Sequence, residues 1–413
     1  MSSTMPRAKA PFHIMTKPAG PLCNLDCRYC FYLEKVKLFP ENHLFRMSDE
    51  VLEAFVKGYI EAQPTGDVVF AWQGGEPTLA GLRFFQKVVE LQARYGAGRR
   101  IENAFQTNGT TLNDEWCEFL KAFDFLVGIS IDGPEELHDA YRVDRRGEPT
   151  YRRVVRGIKL CQKHGVDFNT LTVVNRRNVE KPLEVYRFLR EIGSGYLQFI
   201  PLVERNADAA SNRVGLGLSH PPDLAAASFE ADPPVTEWSV PPAALGEFYC
   251  KIFDRWVSRD VGKVFVQLFD ATLAKWVGAP GGTCVHSETC GRALAMEHNG
   301  DVYACDHYVY PRYKLGNVLT HPLAELADGE TMREFGEQKR SRLTRQCREC
   351  EVRFACHGDC PKHRFARSQD GEPGHSYLCE GLYRFFTHSA PAMRQMAELY
   401  RMGRPPADIM RTK

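Results

Sequence analysis

The chain has 413 residues, enough for two or three domains, and its 43% hydrophobic and 11% aromatic content is ample for a packed core. Its 53 basic residues nearly balance 52 acidic ones, which counts against a nucleic-acid or membrane-surface partner. Its 14 cysteines, with no apolar leader in Met1–Gly20 and no run long enough to span a membrane, point to a cytoplasmic metal-binding protein rather than a disulfide scaffold.

Phe12–Lys17 reads as a first strand, broken by Pro18-Ala-Gly-Pro21. The run Cys23-x3-Cys27-x2-Cys30 follows. Ser48 caps a predicted helix to about Tyr59. Asp67–Trp72 is a second strand ending in Gln73-Gly74-Gly75-Glu76-Pro77, with a helix to about Tyr95. Ile101–Gln106 ends in Thr107-Asn108-Gly109, and Asn113 caps the next helix. Phe125–Ile131 is a fourth strand, ending in Asp132-Gly133-Pro134. Helix Tyr151–His164, strand Asp167–Val174, helix Val179–Ile192 and strand Tyr196–Leu202 complete six strand–helix alternations. That pattern predicts an α/β fold with a parallel sheet or a barrel short of the closed eightfold form. The polar turns follow the strands, so the cysteine loop shares one face with Gln73–Pro77, Thr107–Gly109 and Ser130–Pro134.

Glu204–Val235, rich in Ala, Asp, Pro and Ser, reads as an inserted, lid-like loop. Leu245–Val257 and Leu268–Val277 are predicted helices that bridge to a cysteine-rich region. That region shows little periodicity beyond a hairpin, Leu294–Ala304, turning at His298-Asn299-Gly300-Asp301. Phe385–Gly403 is a closing helix. The expected division is 1–235, 236–282, 283–390 and 391–413.

Three thiolates on one short loop can hold three irons of a [4Fe–4S] cube and leave the fourth without a protein ligand. An open metal site marks catalysis. The open iron suits chelation by the amino and carboxylate groups of S-adenosylmethionine, with Tyr29 offering a flat face to adenine. A partial zinc knuckle or buried free thiols are the plainer alternatives. Eight more cysteines run Cys284-x5-Cys290-x14-Cys305 and then Cys347-x2-Cys350-x5-Cys356-x3-Cys360-x18-Cys379. They make two four-thiolate sites in a crossed arrangement, Cys284, Cys290, Cys305 and Cys360 in one and Cys347, Cys350, Cys356 and Cys379 in the other. Two structural zinc sites have overlapping spacings. Cys117, Cys161 and Cys250 stand alone and read as inert thiols. His286, His298 and His307 read as structural or supporting residues, since eight cysteines fill two sites, and the basic run Arg340–Arg348 reads as solvated surface.

The Cys-x3-Cys-x-Tyr-Cys run, Gly-Gly-Glu-Pro after the second strand, and the C-terminal cysteines together resemble the radical S-adenosylmethionine superfamily with a SPASM domain. Lys17–Lys35, Gln73–Pro77, Gln198-Phe199 and Cys305-Asp306 resemble the anaerobic sulfatase-maturating enzymes. The resemblance implies a partial (β/α)6 TIM-like barrel, a C-terminal domain with two auxiliary clusters, and three [4Fe–4S] clusters in all. It implies oxidation of a cysteine or serine in an unfolded sulfatase segment to Cα-formylglycine, with a flavodoxin or ferredoxin as electron donor. Gly74, Gly75 and Glu76 would line the methionine end of S-adenosylmethionine, Ser130 would be a further contact, and Arg142 or Arg152 would meet its carboxylate. Asp306 would match the family's catalytic base. The rival readings are a SPASM-type maturase that cross-links ribosomal peptides and, more remotely, a non-catalytic zinc-binding protein.

Overall fold

The computed structural model describes residues 6–39, 44–223 and 234–411. Its centre is a ten-stranded sheet: β1 His13–Thr16, β2 Asp67–Trp72, β3 Arg100–Thr107, β4 Phe125–Ser130, β5 Phe168–Val174, β6 Tyr196–Pro201, β7 Phe265–Val266, β8 Ala293–Met296, β9 Asp301–Tyr303 and β10 Lys314–Asn317. Their spatial order is β10-β9-β8-β1-β2-β3-β4-β5-β6-β7. Strands β1 to β7 pair in parallel with their sequence neighbours, the arrangement that helical crossovers produce. The six predicted strands are all present and build a partial α/β barrel.

Two features were not predicted. β7, a two-residue strand, extends one edge. At the other edge the predicted hairpin, now β8 and β9, does not stand apart: β8 pairs in parallel with β1 from His13↔Ala293 to Thr16↔Met296. Parallel pairing between distant segments leaves no local sequence signal, so the hairpin was legible and its docking was not.

The strands alternate. Phe168, Thr170, Thr172 and Val174 of β5 are buried toward the helices, while Asn169 and Leu171 face the barrel interior half-buried. Val68, Phe70 and Trp72 of β2 likewise pack outward. Trp72 meets Phe55, Phe84 and Phe85 edge-on, and Phe85 continues to Phe105 and Trp116. The polar groups in this seam satisfy one another: Trp72 Nε1 and Gln92 Nε2 both donate to Asn103 Oδ1, at 2.8 and 2.9 Å. Ser48 and Asn113 cap their helices as predicted, accepting from Val51 N and Trp116 N.

Beyond the barrel, helix Glu330–Ser341 escaped prediction because its buried stripe is only Met332, Gly336 and Lys339. The closing helix is Cys379–Arg401, starting six residues before the predicted Phe385, so Cys379 lies in its first turn. It packs on helix Pro242–Arg259 through two glycines. A Cβ on Gly381 would lie 2.1 Å from Pro242 O, and one on Gly246 would lie 2.8 Å from Gly381 Cα. The insertion folds onto the turn of helix Leu33–Leu38, with Gly217 N donating to Glu34 Oε2 at 2.6 Å; its residues 224–233 lie outside the described ones. Among the described residues no helix is long and apolar enough to cross a membrane.

Gly381→Ala is expected to force the two helices apart and cost about 1–3 kcal/mol, the usual penalty of overpacking, in chemical unfolding of the protein. An unchanged unfolding midpoint would show that the interface yields without cost.

Candidate active site

The cysteine loop leaves β1 and is tied down on three sides. Asp26 N and Arg28 N donate to Val143 O and Tyr141 O, and Arg145 Nε donates to Cys23 O at 2.7 Å. Asn108, at the end of β3, donates from one Nδ2 to Asn24 Oδ1 at 2.9 Å and to Cys23 Sγ at 3.7 Å. Leu25 N also points at Cys23 Sγ, at 3.4 Å. Burial pushes the Cys23 and Cys27 thiols up to about 12.

The turn after β2 explains its glycines by contact. Gly75 N donates to Gly20 O and Glu76 N to Leu22 O, both at 2.8 Å. A Cβ on Gly75 would fall 1.9 Å from Leu22 O, and Gly74 adopts φ +131. Glu76 is fully buried. One carboxylate oxygen accepts from Thr78 N, Thr78 Oγ1 and Thr107 Oγ1, and the other from Asn108 N at 2.8 Å. The carboxylate therefore fastens the end of β2 to the end of β3, and through Asn108 to the cysteine loop. Burial raises its pKa while these donors oppose the rise.

Further round the same face, Tyr29 donates its hydroxyl to Asp132 Oδ2 at 2.6 Å, and Arg142 Nε lies 3.0 Å from the same oxygen. Arg142 also lies over the Tyr29 ring at 5.6 Å. Arg152, the other candidate arginine, has an 86% exposed side chain paired with Glu135, so of the two candidates it is Arg142 that lies beside the loop. Ser130 faces the interior and accepts from Gln106 Nε2 at 3.1 Å. Beside them Asn169 Oδ1 is buried with no hydrogen-bond partner among the described residues, and a Cβ on Gly128 would lie 2.5 Å from Gln106 Oε1 and 3.1 Å from Asn169 Oδ1. A buried polar acceptor and a lining of Gln, Ser and Asn side chains suit a polar cofactor in the barrel interior.

Asp306 reaches this face because β9 delivers the chain there. It forms an ion pair with Lys17, the residue that follows β1, whose side chain is 1% exposed. Burial alone would raise the Asp306 pKa, but Lys17, with His307 and Lys35, overrides it and holds the carboxyl below its usual range. Lys17 Nζ sits 3.9 Å above the Tyr32 ring, and the Tyr32 hydroxyl donates to Glu297 on the hairpin. Tyr32 is thus a core residue that orients the pair; Lys17 and Glu297 carried no motif that singled them out for this role. His307 packs on Phe31 and His286 on Phe386, while His298 lies beside Glu297.

Among the described residues no three His, Cys, Asp or Glu side chains converge on a point where one ion would sit. In the C-terminal region, His375 Nδ1 stands 3.5 Å from Cys347 Sγ and 3.0 Å from Thr344 Oγ1, a supporting contact missed in the sequence. Of the basic run, Arg340 and Arg345 are exposed and paired with carboxylates.

The Radical SAM superfamily matches residues 18–189, and the SPASM iron-sulfur cluster-binding domain matches residues 284–351. The serine-type anaerobic sulfatase-maturating enzyme of Bacteroides thetaiotaomicron is 48% identical over 97% of this chain and 95% of its own length. This chain belongs to the anaerobic sulfatase-maturating enzyme family. A cysteine-type member from Clostridium perfringens is 32% identical over 94% of this chain and 98% of its own. The solved structure of native anSMEcpe with bound AdoMet and Cp18Cys peptide superimposes with TM-score 0.80 at 31% identity, covering 94% of this chain and 99% of that one. Peptide-bound SuiB of Streptococcus suis, at TM-score 0.57 and 14% identity, shares the fold alone.

Gly75→Ala is expected to expel the turn from the cysteine loop. The reconstituted variant should lose about four of about twelve irons, those of the first loop, while the C-terminal irons stay. A full complement in iron analysis would show that the close approach is dispensable.

Proposed function

We propose that this chain oxidises a serine or cysteine of an unfolded sulfatase segment to Cα-formylglycine under anaerobic conditions. Cys23, Cys27 and Cys30 hold a [4Fe–4S] cluster with one iron free for S-adenosylmethionine, and the eight C-terminal cysteines hold two auxiliary clusters in the crossed arrangement. When bound, these groups supply the 5′-deoxyadenosyl radical that takes a hydrogen atom from the substrate Cβ and the acceptor for the electron the carbon then loses. The remaining proton, on the substrate hydroxyl or thiol, falls to a residue of the chain; a serine then gives the aldehyde directly, while a cysteine gives a thioaldehyde that water converts to the aldehyde with release of hydrogen sulfide.

The observation that carries this reading is the Lys17–Asp306 pair. A base must be ionised before it can accept a proton, and Lys17 keeps the half-buried Asp306 in that state. Asp306 lies on the strand-end face that also carries the cysteine loop, within the family motif Cys305-Asp306. Arg142, Ser130 and the Gly74–Gly75 backbone would border the cofactor, with Glu76 holding the turn in place. A narrow cleft opens beside His307, lined among others by Phe31, Glu204, His220, Tyr310 and Lys362. We assign it to the incoming polypeptide. A reduced flavodoxin or ferredoxin of the cytoplasm would supply the electrons.

Two assays test the reading. Asp306→Asn should keep its iron and still release 5′-deoxyadenosine, while formylglycine falls roughly 10²–10⁴-fold, the range for a lost general base; an unchanged yield would remove Asp306 from that role. The higher identity to serine-type relatives, 48% against 32%, favours serine as the natural target. Mass spectrometry of anaerobic reactions on matched peptides carrying Ser-x-Pro-x-Arg or Cys-x-Pro-x-Arg should therefore show conversion of both, the serine form with the higher kcat/KM. Cofactor cleavage with neither peptide converted would point to the cross-linking alternative.

A further inference from the structure

Arg364 is 1% exposed, and among the described residues no carboxylate forms an ion pair with it. Its guanidinium is instead wrapped by main-chain carbonyls. Nε donates to Gly358 O at 2.7 Å, Nη1 to Lys339 O at 2.6 Å, and Nη2 to His357 O at 2.8 Å and Asp359 O at 3.2 Å. Three consecutive residues, His357, Gly358 and Asp359, are left-handed, with φ of +49, +73 and +63. That conformation strains the two non-glycine residues, and its effect is to turn all three carbonyls onto one cation. A Cβ on Gly358 would lie 2.8 Å from Arg364 Nη2.

The wrapped loop is the segment between Cys356 and Cys360. In the crossed arrangement these two thiols belong to different auxiliary clusters, so Arg364 sits where both are anchored. A second cation lies close by. Lys339 is fully buried, and its Nζ donates to Cys284 O and Val285 O, both at 2.7 Å.

Carbonyl dipoles satisfy the hydrogen bonds of a guanidinium but leave its charge uncompensated, and arginine stays protonated in proteins. Buried charges are ordinarily paired. The buried Asp359 carboxylate nearby is taken up by His363 Nδ1 and Ser376 Oγ, both 2.8 Å from its Oδ2, and the further negative charge here is that of the thiolate-ligated clusters. We propose that Arg364 is the positive charge shared by the two auxiliary clusters and that it raises the reduction potential of both. A one-electron reduction adds negative charge, which a fixed neighbouring cation favours, and cluster potentials respond to local charge and hydrogen bonding. Arg364 is thus a positioning residue that acts through the clusters and touches no substrate. The inference rests on the crossed assignment of the eight cysteines made above.

The test is an anaerobic redox titration followed by electron paramagnetic resonance. It uses the reconstituted full-length chain carrying Cys23→Ala, Cys27→Ala and Cys30→Ala, so that only the auxiliary clusters report. Arg364→Gln should keep its iron and lower both midpoint potentials, whereas Arg364→Lys, which retains the charge, should stay closer to the parent. Unchanged midpoints in iron-complete Arg364→Gln, or equal shifts in the two variants, would overturn the proposal. If Arg364→Gln sheds iron, Lys339→Met carries the test. It should lower the midpoint of the cluster on Cys284, Cys290, Cys305 and Cys360 more than the other, and no shift would overturn the charge argument. Fewer than about eight irons in the parent would instead strike the ligand assignment on which the inference rests.

Discussion

Four residues of β8 pair with four of β1, and this short parallel ladder joins the cysteine-rich region to the barrel. Much of the site depends on it. Lys17 leaves the end of β1 and donates its backbone N–H to Met296 O at the end of β8. β9 then returns antiparallel to β8 and releases Cys305 and Asp306 at the barrel face. The ion pair between Lys17 and Asp306 is the side-chain consequence of that register. A one-residue slip would turn the pleat over and break it. The proposed base and the proposed radical source are thus fixed to one strand, β1, although they lie in regions separated by more than half of the chain.

The second constraint is the close approach of the β2 turn to the cysteine loop. Gly75 leaves no room for a side chain against Leu22 O, and the Glu76 carboxylate is fully committed to Thr78, Thr107 and Asn108. A charged residue in a strand-to-helix turn reads first as a ligand contact. Here its hydrogen bonds go to the scaffold, and its contribution to the site is rigidity. The interior side chains that remain, Gln106, Ser130 and Asn169, have the polar chemistry a nucleoside-containing cofactor needs.

The six barrel strands, both helix caps and the β8–β9 hairpin were legible because each carries a local signal: alternation, a capping side chain, or Asn-Gly at the turn. Cys23, Cys27, Cys30 and Asp306 were legible through spacing and resemblance. What the sequence hid is non-local. The docking of β8 on β1 and the choice of Lys17 as partner of Asp306 depend on residues hundreds of positions apart. Helix Glu330–Ser341 was hidden for another reason: a lysine supplies part of its buried face, which no apolar periodicity reports. The arginines show the same limit. Arg142 and Arg152 are equivalent in sequence, and only burial separates the one beside Asp132 from the one in solvent.

In the proposed reaction, hydrogen-atom removal from Cβ and proton removal by Asp306 are separate acts performed at one face. The most direct measurement uses a substrate peptide whose target serine is deuterated at Cβ, turned over anaerobically by the unsubstituted chain and by Asp306→Asn, with label and product followed by mass spectrometry. Deuterium is expected in 5′-deoxyadenosine from both proteins, and aldehyde at full yield only from the unsubstituted chain. Deuterium retained entirely in the peptide, or equal aldehyde from both proteins, would contradict the proposed reaction.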